Sequence, residues 1–169
     1  MIGTDEQILL SKISLTEMIG RSDEIARLES HAAGHPSENL LVVSGAPRIG
    51  VSEILRQVYD RVFLANAEIL PVYFAIANGD RSASETARRF AYELLLQFVA
   101  FRRREPQLIA QRPNIDELVR KAGVSDAAFV DQVAELVTNA NDHPPSEMVR
   151  SLFSLPLRIA GMGIRCFVI

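Results

Sequence analysis

Ser44-Gly45-Ala46-Pro47-Arg48-Ile49-Gly50-Val51-Ser52 is the stretch whose reading decides the fold. Before it stands an apolar run, Leu40-Leu41-Val42-Val43, which predicts a short buried strand. After it, Ile54, Leu55, Val58, Val62 and Phe63 recur at helical spacing. Strand, glycine-bearing loop and helix form the setting of a phosphate-binding loop, whose template is Gly, four residues, Gly, Lys, then Ser or Thr. Gly45, Gly50 and Ser52 fit that template, but Val51 stands where the lysine belongs.

The departure divides the motif's physics in two. Glycines let successive N–H groups turn towards one centre, and the following helix adds the positive end of its dipole. Those parts need only backbone and survive here. The lysine is a charge on the terminal phosphates, and valine has none. A hydrogen bond to a charged group is worth roughly 1.5–3 kcal/mol, so its loss weakens binding by about 10–100-fold. The missing charge also removes transition-state stabilisation. Arg48 is near in sequence and is a candidate substitute. From the loop alone an ordinary glycine turn with no ligand remains an equal alternative.

The chain has 169 residues, enough for one domain with a real core. Net charge is −3, which gives no general attraction to nucleic acid or to an anionic membrane. The single cysteine, Cys166, excludes an intrachain disulfide and fits a reducing compartment. It lies in an apolar run and reads as a buried structural thiol. No apolar stretch approaches the ~18–20 residues of a membrane span, and Met1–Gln7 has no secretory pattern. The expected location is cytoplasmic.

Along the chain, Leu9, Leu10, Ile13 and Leu15 suggest a short amphipathic turn or a segment docked on the core. Ser22 is the expected N-cap of a helix that buries Ile25 and Leu28 and stops near Gly34. A second strand is expected over residues 69–76, with Pro71 at its start and Asn78-Gly79-Asp80 closing it. Ser82 and Glu85 form a capping box for a long helix carrying Phe90, Leu94, Phe98 and Phe101. That helix ends in Arg102-Arg103-Arg104, which reads as solvated charge at a helix C-terminus rather than a nucleic-acid contact. Asn114 and Glu117 start a short helix, and Ser125 another. A polar break over residues 139–145 precedes a helix that Pro156 kinks or restarts. Residues 164–169 predict a third buried strand. The order implies α/β with a parallel sheet.

These pieces together resemble the first half of an archaeal-type P-loop ATPase of the AAA+/STAND kind. Ile19-Gly20-Arg21-Ser22-Asp23-Glu24-Ile25 matches the family's Gly-Arg-acidic-acidic-apolar box. The loop from Gly45 to Ser52 resembles the family's Gly-Pro-Arg-x-x-Gly-Lys-Thr/Ser, with one extra residue before the proline and without the lysine. The second strand, the long capped helix, Leu155-Pro156 and the final strand follow the family's order. The resemblance implies a P-loop NTPase-like parallel sheet flanked by helices, incomplete at about three strands, as one truncated domain over residues 1–169. It places Ile19, Gly20 and Arg21 near an adenine and wraps phosphates with Gly45, Ala46, Pro47, Arg48, Ile49 and Gly50. Ser52 would meet Mg²⁺, and Val51 would occupy the lysine position without its role. The acidic pair that ends the family's Walker B strand would begin where the chain stops, at Ile169.

The implied function is a degenerate P-loop NTPase domain with weak or lost ATP or ADP binding, Mg²⁺ accompanying the nucleotide, and a regulatory or scaffolding role. Hydrolysis by this chain is not expected. The rivals are a nucleotide-independent protein-interaction module, and an ATPase active only within a longer parent protein or assembly. Protein partners or a homo-oligomer through an exposed sheet edge are expected, and no membrane. His31, His35 and His143 are too scattered for a metal site. Asp23-Glu24 and Asp116-Glu117 read as helix-start acids rather than catalytic pairs.

Overall fold

The computed structural model describes residues 8–34, 40–65, 68–76, 79, 82–139 and 144–169. In chain order the elements are a 3-10 turn (Leu15–Glu17), α1 (Ser22–Ala33), α2 (Val51–Ala65), β1 (Ile69–Val72), α3 (Ala83–Arg103) and α4 (Gln107–Gln111). Then come α5 (Ile115–Lys121), α6 (Ala127–Thr138), α7 (Pro145–Phe153), α8 (Leu155–Gly161) and β2 (Arg165–Val168).

This overturns the expected P-loop NTPase-like sheet. Helix accounts for 62 % of the described residues, which hold only a two-stranded parallel sheet. Leu40-Leu41-Val42-Val43 forms no strand and joins no ladder among the described residues. Leu40 is 81 % exposed and Val42 76 %, and only Leu41 is half-buried, so the run is not a buried strand. A strand exists through its neighbours, and β-branched composition alone does not supply them. β2 also differs from expectation, because Arg165 and Val168 are exposed and only Cys166 and Phe167 are half-buried. The strand expected over residues 69–76 is four residues long, and two residues of its expected closing turn, 78 and 80, lie outside the described residues.

The core is built on α3 instead. Ala87, Phe90, Ala91, Leu94, Leu95, Phe98 and Val99 are all buried, and α5, α6 and α7 pack around them. Such a helix, apolar over most of its circumference, must be surrounded. Its start follows the sequence: Ser82 Oγ accepts from the Glu85 N–H at 3.1 Å. Arg104 ends it in the left-handed conformation at φ 56°. Asn114 caps α5 by accepting from the Glu117 N–H at 2.9 Å. Two caps fall elsewhere than expected. Ser22 is already helical, and α1 is preceded by Arg21 with no side-chain cap. Asp126, not Ser125, precedes α6, and its carboxylate takes both arms of Arg102 at 2.9 and 3.0 Å. The arginine run is thus partly structural.

Pro71 sits inside β1 rather than at its start, and the register explains why this is tolerated. Ile169 N–H donates to Val72 O and Phe74 N–H donates to Ile169 O, both at 2.8 Å. The backbone groups of even-numbered residues in this stretch therefore face β2, and those of Pro71 and Tyr73 face away. Proline's missing N–H costs no ladder bond there. At Tyr73 the side chain of Gln97, from α3, replaces a strand: Oε1 accepts from Tyr73 N–H at 2.8 Å and Nε2 donates to Tyr73 O at 3.0 Å.

The N-terminal segment is clasped to α2 by side chains one helical turn apart. The buried Asp60 carboxylate accepts from the backbone N–H groups of Leu9, Leu10 and Ser11 at 2.8–3.1 Å and from Ser11 Oγ at 2.6 Å. Gln57 Nε2 donates to Ile13 O at 2.6 Å, and Glu53 Oε1 accepts from Lys12 N–H at 2.7 Å. Replacing Asp60 by alanine leaves those donors facing a buried gap. Asp60→Ala is expected to lower stability by about 3 kcal/mol. Urea unfolding should show this as a lower midpoint with an unchanged slope.

Candidate functional site

Residues 46–50 make a tight turn before α2. Ile49 N–H donates to Ala46 O at 3.2 Å, and Arg48 and Gly50 take φ values of 66° and 91°. Gly50 is the residue that this left-handed position favours. Its carbonyl accepts from Glu53 and Ile54 N–H, each at 3.0 Å, which starts the helix. The amides of Val51 and Ser52 have no protein acceptor among the described residues. They are the unsatisfied donors of a helix N-terminus, where the dipole favours an anion.

Gly45 has a different reason to be glycine. A Cβ there would lie 2.7 Å from Ile49 Cγ2 and 2.9 Å from Val51 Cγ2. The two branched side chains fold in against its Cα. Val51 is therefore a packing residue at the position where a lysine was missing, and the turn is closed by methyl groups.

Two hollows flank the loop. One, of about 600 Å³, is lined by the loop from Val43 to Glu53 together with Lys12 and Arg56. Its walls carry three cations, Lys12, Arg48 and Arg56, against one carboxylate, Glu53. That carboxylate is already engaged by Lys12 and Ile13 N–H and by Arg56 at 3.4 Å. The other, of about 320 Å³, lies between the same loop and α1, with Leu28, Leu41, Val43, Val51 and Ile54 on its apolar side. Arg21, Glu24 and Arg27 are its charged rim. Val43, Ser44, Gly45, Ile49 and Val51 border both hollows. These volumes are of the size that small ligands use.

The expected site residues divide accordingly. Gly45, Ala46, Pro47, Arg48, Ile49, Gly50, Val51 and Ser52 all line the larger hollow. Arg21 reaches the loop, donating from Nη2 to Ile49 O at 3.3 Å while Nη1 pairs with Glu24 at 2.7 Å. That hydrogen bond holds the Glu24 carboxyl below its ordinary range. Ile19 is 91 % exposed, and neither it nor Gly20 forms a wall of the hollow beside Arg21. Lys12 and Arg56 escaped the sequence reading. Arg56 lies one turn after Ser52 on α2, a spacing that could have flagged it. Lys12 is brought in by the clasp on α2, for which the sequence has no local signal.

Other chemistry finds little support. Among the described residues, no three His, Cys, Asp or Glu side chains converge on a metal-sized centre. His31 meets Phe167 edge-on at 6.2 Å, while His35 and His143 lie outside the described residues. Among the described residues no helix is long and apolar enough to cross a membrane. Comparison with protein-family models, with curated proteins and with solved structures finds no match.

Two outcomes are expected from this geometry. Gly45→Ala must displace Ile49 or Val51 and should cost about 1–3 kcal/mol in thermal or urea unfolding. Cys166 is a thiol that burial pushes up to about 12. At pH 8 it should react with iodoacetamide at least ~100-fold more slowly in the folded chain than in urea, since the thiolate is the nucleophile.

Proposed function

We propose that this domain binds the phosphate chain of a nucleotide, ATP or ADP, at the loop from Gly45 to Ser52 and does not hydrolyse it. The observation that carries this reading is the gathering of Lys12, Arg48 and Arg56 around a hollow that also presents the free amides of Val51 and Ser52. Cations and helix-start amides together favour an anion of more than one charge. The neighbouring apolar hollow offers a place for a base beside Leu28, Leu41 and Ile54. For Mg²⁺ the fit is poor. Ser52 offers one hydroxyl, and Glu53 is already committed to the clasp and to Arg56. Any Mg²⁺ would be held by the phosphates, and no carboxylate in the hollow is free to orient an attacking water. The reading is therefore a regulatory or scaffolding one, and the lone cysteine supports a cytoplasmic setting.

A specific observation favours a second reading, association between copies of this chain. The backbone groups of Cys166 and Val168 face away from β1 and have no hydrogen-bond partner among the described residues. Val168 is itself 46 % exposed. An open strand edge of this kind pairs with its own copy at little geometric cost.

Calorimetric titration of ATP and ADP, with and without Mg²⁺, tests the first reading. Binding in the micromolar to low millimolar range is expected, weakened several-fold by Arg56→Ala. No heat and no thermal shift at several millimolar nucleotide would overturn it. Light scattering across a concentration series tests the second. A mass that stays monomeric at high concentration removes it, and a dimer that Val168→Asp dissociates supports it.

A further inference from the structure

We propose that Lys12 supplies the terminal-phosphate charge that Val51 cannot, and so makes the site selective for longer phosphate chains. The inference rests on the phosphate reading above and adds to it the residue that sets specificity.

The argument starts from how Lys12 is held. Ser11, before it, is fixed to Asp60 through both N–H and Oγ. Ile13, after it, is fixed to Gln57 through its carbonyl. Lys12 itself donates its N–H to Glu53 Oε1 at 2.7 Å. Its backbone is therefore pinned on both sides to α2, the helix whose N-terminus borders the hollow. Its side chain is exposed, lines that hollow, and has no carboxylate or carbonyl acceptor among the described residues. A pinned backbone with a free ammonium head is well suited to follow an incoming anion, because the four-carbon stem adjusts at modest entropic cost.

The other two cations differ from Lys12 in where they are held. Arg56 is shared between Glu53 at 3.4 Å and the face of Tyr73, 5.8 Å from its centroid. Arg48 stands at the turn itself, where φ 66° fixes its backbone within the loop. Glu53 would repel a phosphate, but two backbone N–H groups and Arg56 already offset its charge. Lys12 thus adds a cation from outside the loop and its helix, available to phosphates beyond those that the loop amides hold.

The same geometry makes the N-terminal clasp part of the binding site. An anion held by Lys12 favours the clasped segment over the released one, and an intact clasp favours binding. Coupling of this kind is reciprocal. Ser11→Ala, which removes a clasp contact and touches no ligand, should then weaken binding while leaving Lys12 in place.

The experiment is titration of AMP, ADP, ATP and inorganic triphosphate into the wild-type chain, Lys12→Ala, Lys12→Arg, Ser11→Ala and the control Lys121→Ala. Melting temperatures establish that each variant is folded, which the exposure of Lys12 favours. Lys12→Ala should lose about tenfold for ATP and inorganic triphosphate and about twofold or less for AMP. It should also flatten the dependence of ATP binding on salt. Lys12→Arg should recover most of the loss, and Lys121→Ala should match the wild type. Wild-type binding with an unchanged AMP-to-ATP ratio in Lys12→Ala would overturn this inference and leave the phosphate reading standing. No binding of any probe by the wild type would overturn both.

Discussion

The structure depends on one buried carboxylate. Asp60 sits on the inward side of α2 at 4 % exposure, and its four hydrogen-bond donors among the described residues are all uncharged. An ionised group is tolerated in such a place only when hydrogen bonds replace its water. Because those donors belong to Leu9, Leu10 and Ser11, satisfying the charge also fixes the chain's entry. Glu53 and Gln57, on the same side of the helix, extend the fixation to Lys12 and Ile13. One helix face thus serves both as wall to the core and as anchor for a segment that has little secondary structure of its own.

The sheet is small because helices have taken over its neighbours' tasks. Gln97 supplies the hydrogen bonds that a further strand would have given Tyr73. α1 and α2 close over Ile25, Leu28, Ile54 and Val58 to make a second apolar cluster, which Leu41, Phe167 and Ile169 join from the side. The principal cluster runs from Tyr59 and Phe63 through the α3 aromatics to Leu152 and Ile159. The glycine loop lies at the margin of the second cluster, where packing is thinner and hollows can persist.

Local signals in the sequence were legible at most places where a side chain acts on its own backbone, the starts of α1 and α6 excepted. Ser82 and Asn114 are caps as their spacing implied, Gly34 ends α1, and α7 gives way to α8 beside Pro156. The turn and helix after Gly45 are also where the pattern put them. Sheet membership was legible only in part, because it depends on partners distant in sequence: the runs at 69–76 and 164–169 do hold paired parallel strands, and the run at 40–43 does not. Leu40-Leu41-Val42-Val43 has the composition of a buried strand, yet only Leu41 is half-buried and the run has no ladder among the described residues. At the candidate site the loop could be read from its glycines, and Lys12 could not, since its place follows from Asp60 nearly fifty residues away. The role of Gly45 was misleading for a related reason: its neighbours Ile49 and Val51 require the missing Cβ without any ligand.

The two margins of the sheet are chemically unequal, and this sets a limit on assembly. On the β1 side Pro71 offers no donor, Tyr73 is occupied by Gln97, and Ile69 to Val72 are all buried. On the β2 side the backbone groups of Cys166 and Val168 have no partner among the described residues. A sheet with two open margins can add subunits without end, which is how ordered fibres grow. A sheet with one can be joined once, and the joined pair has no margin left to offer. The glutamine that stands in for a strand therefore acts as a chain terminator for the sheet, restricting any growth by strand pairing to a closed unit.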